Sequence, residues 1–258
     1  MPRFAANLTM MFQEHAFMDR FEAAAATGFR AVEYLFPYDF DMSQIARTLQ
    51  DNHLTQALFN LPPGAWQTGD RGLAALPGRQ KEFRQSVTTA LRYAAATGVG
   101  RLHMMSGIAR RDDAGACASY RESLAYFCDR AGQAGLDVLI EPINSRDMPG
   151  YFLNDFNYAA DLIADLGYTN LKLQFDIYHR QIIHGDVLNG LKTLMPITGH
   201  VQIAAVPQRH EPGTGELDDF RILSALDELG YTGFVGCEYR PASGTADGLG
   251  WLSAFEET

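Results

Sequence analysis

Four oxygen-bearing side chains stand in equivalent places along the second half of the chain. Asp137-Val138-Leu139-Ile140 ends in Glu141 and is stopped by Pro142. Leu171-Lys172-Leu173-Gln174-Phe175 ends in Asp176, Gly199-His200-Val201 in Gln202, and Phe234-Val235-Gly236-Cys237 in Glu238. Short apolar runs of this kind are strands buried on both faces, as in parallel sheets covered by helices. Each therefore delivers an oxygen at the same end of its strand, and we expect the four to converge on one divalent metal. Three carboxylates and an amide are hard donors, which suits Mg²⁺ or Mn²⁺. Taken singly, each is also what an ordinary polar strand end would look like.

Two further residues carry chemistry. His179 lies three positions after Asp176, where a tight turn would point both into one mouth and let the imidazole polarise a carbonyl or hold a hydroxyl. A loop histidine satisfied by backbone is the alternative. Arg209 follows Gln202 and can bind a carboxylate through two parallel hydrogen bonds, with a surface salt bridge as the competing role. Of the remaining histidines, His15 and His53 read as superficial, His103 as facing the core and His200 as lying beneath Gln202. None of these four is assigned a catalytic part.

The elements that must position these groups alternate without a break. Strands are expected at Phe4 to Leu8, Ala31 to Leu35, Thr55 to Asn60 and Arg101 to Met105, followed by the four runs above. Helices are expected at Met42 to Asp51, Gln80 to Thr97, Tyr120 to Gln133, Asn154 to Leu166, Asp186 to Leu194 and Asp219 to Leu229, with another around Phe17, Phe21 and Ala24. Eight strands alternating with helices over 258 residues predict a single-domain (β/α)₈ TIM barrel of the α/β class, with its chemistry at the carboxyl ends of the strands. Residues 61–79 are too rich in glycine and proline for regular structure. Trp66 and Arg71 within them point to a lid over substrate, because a solvated linker gains nothing from tryptophan. Gly250, Trp251, Leu252 and Phe255 suggest a closing tail.

Charge and composition exclude several classes. With 21 lysines and arginines against 31 aspartates and glutamates the formal charge is −10, and no basic run offers a surface for nucleic acid or anionic membrane. No stretch approaches the roughly 20 apolar residues that span a bilayer, and the N-terminus reads as a first strand where a signal peptide would have a long apolar core. Cys117, Cys128 and Cys237 form no C-x-x-C pair, which suits structural thiols in a reducing compartment. The expectation is a cytoplasmic protein, and the sequence leaves homo-oligomerisation open.

Taken together, Arg3 through Leu8, Phe36-Pro37-Tyr38, Asn60-Leu61-Pro62, Gly72 through Arg79, Ile140-Glu141-Pro142-Ile143-Asn144, Asp176-Ile177-Tyr178-His179, His200 through Ala204, Glu211 through Glu216 and Gly236 through Tyr239 resemble the hydroxypyruvate isomerase family of the xylose isomerase-like sugar isomerase and epimerase superfamily. Close relatives isomerise 2-oxo-tetronates, and the shared motifs separate the two poorly. The resemblance implies a metal held by Glu141, Asp176, Gln202 and Glu238, with Glu141 and Glu238 doubling as acid and base. His179 and Arg209 match substrate-binding positions, and Arg71 and Trp66 would join them from the lid. Many superfamily members carry histidine where Gln202 stands. The activity implied is conversion of hydroxypyruvate to tartronate semialdehyde through a metal-stabilised enediolate. The alternatives are isomerisation of 2-dehydrotetronate to 3-dehydrotetronate, ketose 3-epimerisation, or a barrel that binds a small ligand without turnover. An apurinic endonuclease would need a histidine-rich multizinc centre and a basic surface.

Overall fold

In the computed structural model, which describes residues 1–255, the chain closes into a barrel. The eight strands are β1 Arg3–Asn7, β2 Ala31–Tyr34, β3 Thr55–Asn60, β4 Arg101–His103, β5 Asp137–Ile140, β6 Leu171–Asp176, β7 Thr198–Ile203 and β8 Phe234–Cys237. Each is parallel to its sequence neighbour, and β8 pairs with β1, so no edge is left. Such closure by consecutive parallel strands requires a crossover after each one, which here is helical. The helices are α1 Arg20–Ala26, α2 Met42–Asp51, α3 Gln80–Thr97, α4 Ala114–Gln133, α5 Phe156–Leu166, α6 Ile177–Ile183, α7 Val187–Leu194 and α8 Asp219–Glu228. No described helix is long and apolar enough to cross a membrane.

Helix starts follow side-chain chemistry. Asp41, Asp113, Asp155, Asp176 and Asp218 each accept hydrogen bonds from backbone amides at the starts of α2, α4, α5, α6 and α8. Two of these starts differ from expectation. The fourth helix was expected from Tyr120 but begins at Ala114, because a run of small residues after Asp113 forms helix without an apolar stripe. The turn expected after Asp176 is helix α6, nucleated by the Asp176 carboxylate itself, whose Oδ1 accepts the Tyr178 and His179 amides.

The packing divides into two layers. Phe21, Ile45, Phe83, Val87, Leu124, Phe127, Leu162, Leu191 and Leu223 of the helices are buried against the outward faces of the strands. Inside the barrel, Ala5, Ala31 and Ala57 form a small apolar floor with Phe234 against it. Residues two apart on a strand share a face, so Asn7 and Glu33 stand above Ala5 and Ala31. On β6, β7 and β8, Gln174, His200 and Gly236 lie just beneath Asp176, Gln202 and Glu238. The register aligns them: Asp176 pairs with Gln202, and Gln202 with Gly236.

The interior below the strand ends is therefore polar, and Glu33 is its hub. Glu33 Oε2 lies 2.7 Å from His200 Nε2, while Oε1 accepts from Gln202 Nε2 at 2.7 Å and from Asn7 Nδ2 at 3.0 Å. A β-carbon at position 236 would overlap the Glu33 carboxylate, so any larger residue there requires Glu33 to shift. Gly236→Ala is expected to destabilise the protein by about 1–3 kcal/mol, the range for overpacked interiors. Urea unfolding checks this; an unchanged midpoint would mean that Glu33 is free to move aside.

Candidate active site

At the carboxyl ends of the strands lies a cavity of about 900 Å³, whose lining includes Asn60, Trp66, Arg71, His103, Glu141, His179, Arg209 and Glu238. Glu141 sits one residue past β5, Asp176 ends β6 and Glu238 sits one residue past β8. Ligand-capable atoms of Glu141, Asp176, His179 and Glu238 all lie within 4.8 Å of one another, and all four residues are buried. The strand ends thus bring together the three predicted carboxylates and the predicted histidine.

The donor set fits a hard cation. Asp176 spends Oδ1 on the start of α6 and leaves Oδ2 without a partner, and Glu141 Oε1 is likewise unpartnered. Buried carboxylate oxygens without donors are costly, and a cation among them would satisfy both. Gln202 is held sideways: its Nε2 donates to Glu33 while its Oε1 accepts from Gln174 Nε2 at 2.6 Å. Since a carboxylate can only accept, Glu33 fixes the amide orientation and directs the Gln202 oxygen to Gln174.

The charge pattern is strained. Burial and then the neighbouring charges of Glu238 and Asp176 raise the Glu141 carboxyl well above the usual range. Burial pushes Glu238 up to about 8, with Arg209 opposing and Asp176 and Glu33 adding to the rise. Burial also raises Asp176. Arg209 is the resident counter-ion. Its side chain is only 14% exposed, with Nη2 lying 2.7 Å from Glu238 Oε2 and 3.7 Å from Asp176 Oδ2, and Nη1 3.3 Å from Asp147. Arg209 thus combines a pairing with the partly exposed Asp147 and a buried one with Glu238.

Trp66 and Arg71 face the same cavity, with the Arg71 guanidinium 3.9 Å from the indole centroid. Their loop is anchored rather than free: Gly72 bridges to Ser106, and Asp70 pairs with Arg79.

Residues unassigned from sequence also join the site. His103, expected in the core, is buried but lines the cavity with Nε2 3.8 Å from Glu141 Oε2. Burial, then His200, lowers it to about 3, so it stands neutral. Glu33, Asn7 and Gln174 form the layer beneath, and Asn144 touches His179. The available signal for Glu33 was a charged residue inside an apolar strand whose two faces are both covered.

Comparison with known proteins places this geometry. The profile described as xylose isomerase-like TIM barrel matches residues 21–255. A 2-oxo-tetronate isomerase of Cupriavidus necator is 54% identical over 257 residues, covering 99% of both chains. Hydroxypyruvate isomerase of Escherichia coli K12 is 42% identical over 99% of this chain and 100% of its own. A crystal structure from Brucella melitensis named AP endonuclease, family 2, superposes with a TM-score of 0.97 at 47% identity, each chain fully covered.

The raised carboxyls set a pH dependence. Folded Glu238 releases its proton at about 8, an unfolded glutamate at about 4.3. Between these the folded state holds more protons, so stability falls as pH rises through that window. For metal-stripped protein the melting temperature is expected to drop from about pH 5 to about pH 8, and the increase produced by Mn²⁺ to grow over the same interval as ligands deprotonate. Differential scanning fluorimetry checks this; a melting temperature that rises with pH would contradict the assignment.

Proposed function

The chain belongs to the xylose isomerase-like TIM barrel family, and from that membership we propose that it is an isomerase that moves a hydrogen between the two carbons of a small 2-oxo-3-hydroxy acid. The observation that carries this reading is the set of three carboxylates brought within 4.8 Å of one another, together with His179, at the floor of a cavity that also receives Arg209 and Arg71. Hydroxypyruvate and 2-dehydrotetronate undergo the same rearrangement and differ only in the group on C3, hydrogen in one and hydroxymethyl in the other. A cavity of about 900 Å³ admits both. The 54% identity to a 2-oxo-tetronate isomerase, against 42% to a hydroxypyruvate isomerase, favours the four-carbon acid as substrate.

Glu141, Asp176, Gln202 and Glu238 would hold the cation, Mg²⁺ or Mn²⁺ by hardness. When bound it would act as a Lewis acid toward the negative charge that develops on the two substrate oxygens. One of Glu141 and Glu238 removes the carbon-bound proton from C3, the hydroxyl proton passes from the C3 oxygen to the C2 oxygen, and the same or the other glutamate returns a proton to C2. Their raised affinity for protons suits them to this exchange near neutral pH. Arg209 turns part of its guanidinium from Glu238 to the substrate carboxylate, with Arg71 beside it. Residues 61–79 act as the lid, and Trp66 excludes water from the enediolate. The free cysteines and acidic surface suit a reducing, cytoplasmic setting. An endonuclease is disfavoured by the charge of −10 and by a metal-capable cluster with a single histidine.

Two outcomes test this reading. Proton NMR in deuterated water, with 2-dehydrotetronate, hydroxypyruvate and a neutral ketose supplied separately, is expected to show isomerised product with deuterium uptake for the acids only, faster for the four-carbon one. Exchange confined to the ketose would overturn it. Glu141→Gln and Glu238→Gln are each expected to lower kcat by at least about 100-fold, the scale of general acid–base catalysis. Steady-state assay decides, and near-normal turnover in either variant removes that residue from proton transfer.

A further inference from the structure

Histidine can meet a reacting oxygen as a proton donor, a base or a metal ligand, and the choice depends on which ring nitrogen carries the proton. For His179 the surroundings decide it. Asn144 Oδ1 lies 3.0 Å from the backbone nitrogens of both Arg146 and Asp147. Those groups only donate, so the atom facing them is the amide oxygen and the other arm of Asn144 is NH₂. That NH₂ lies 2.7 Å from His179 Nδ1, and the Asn144 backbone N–H points at the same nitrogen from 3.4 Å. Two obligate donors converge on Nδ1, which must therefore present its lone pair.

We infer that Asn144 is a positioning residue that holds His179 as the Nε2–H tautomer, so that the site receives a neutral hydrogen-bond donor there and neither a base nor a metal ligand. The ring is 2% exposed, and Nε2 lies 3.6 Å from Asp176 Oδ2, which Arg209 Nη2 also approaches, at 3.7 Å. A nitrogen that carries a proton has no lone pair for a cation. Of the four groups that converge at the strand ends, His179 is thereby removed from the ligand set, which leaves the three carboxylates. Because His179 lines the cavity, that N–H can donate to a substrate oxygen on which negative charge grows, and a neutral donor stabilises that charge without neutralising the carboxylates.

The consequence for turnover rests on the isomerase reading, whereas the tautomer does not. The test is long-range ¹H–¹⁵N NMR of histidine-labelled full-length protein, metal-stripped and with Mg²⁺, at about pH 8, where an ordinary histidine is neutral. His179→Gln assigns the resonances by their loss. Nε2, correlated with both ring carbon-bound protons, is expected to be the protonated nitrogen, and Nδ1, correlated with one, the bare nitrogen. The reverse pattern would overturn the proposal. Asn144→Asp keeps an acceptor for the two backbone amides but presents an oxygen to Nδ1. It is expected to transfer the proton to Nδ1 and to lower kcat about 10–100-fold, the usual effect of losing such a partner, with a smaller change in KM. An unchanged tautomer in this variant would overturn the role of Asn144. A switched tautomer with unchanged kcat would overturn its catalytic consequence. If the variant fails to fold, the wild-type spectrum still decides. Absence of turnover in the wild type would refute the isomerase reading alone.

Discussion

Three carboxylates buried within 4.8 Å of one another cannot all remain charged without a cation among them, and the rest of the structure is arranged around that constraint. Removal from water and mutual repulsion both favour the protonated forms, so the centre resists ionisation unless positive charge arrives. Arg209 supplies part of it, at 2.7 Å from Glu238. Its single charge, shared with Asp147, leaves oxygens of Glu141 and Asp176 without donors. A dication among them would satisfy those oxygens and free Arg209 for the acidic substrate proposed above. One electrostatic conflict thereby links metal affinity, substrate charge and the raised proton affinity that acid–base catalysis uses.

The barrel makes the conflict affordable by supporting it from below. Glu33, on β2, faces the centre from the opposite wall and fixes the Gln202 amide, holds His200 and positions Asn7, whose Nδ2 lies 3.5 Å from Glu238 Oε1. Gly236 leaves room for that carboxylate. Asn144 does the corresponding work for His179. In both cases a buried polar group outside the reacting centre dictates which atom of a neighbour faces inward, and so converts an ambidextrous side chain into a defined acceptor or donor.

The three strand-end carboxylates were legible because an apolar run that stops at a carboxylate is a local pattern, and parallel strands bring such ends together. The supporting layer was not. Glu33 reads as one polar residue within Ala31 to Leu35, and only barrel closure places β2 across from β7. Asn144 belongs to a recognisable stretch, yet its task depends on α6, where the three-residue spacing of Asp176 and His179 suggests only a tight turn. The carboxylate serves both ends: one oxygen starts the helix that carries His179, and the other faces the centre. His103 was placed correctly as buried but on the wrong account, since the interior of this barrel and its active cavity are continuous.

The central claim is that the strand ends hold one divalent cation per chain through these carboxylates. Electron paramagnetic resonance of Mn²⁺ titrated into metal-stripped protein, with Asp176→Asn beside the wild type, tests it directly. The account predicts loss of the free Mn²⁺ signal up to one equivalent for the wild type and little or no loss for the variant. Binding that is absent from the wild type, or that survives unchanged in Asp176→Asn, would contradict it.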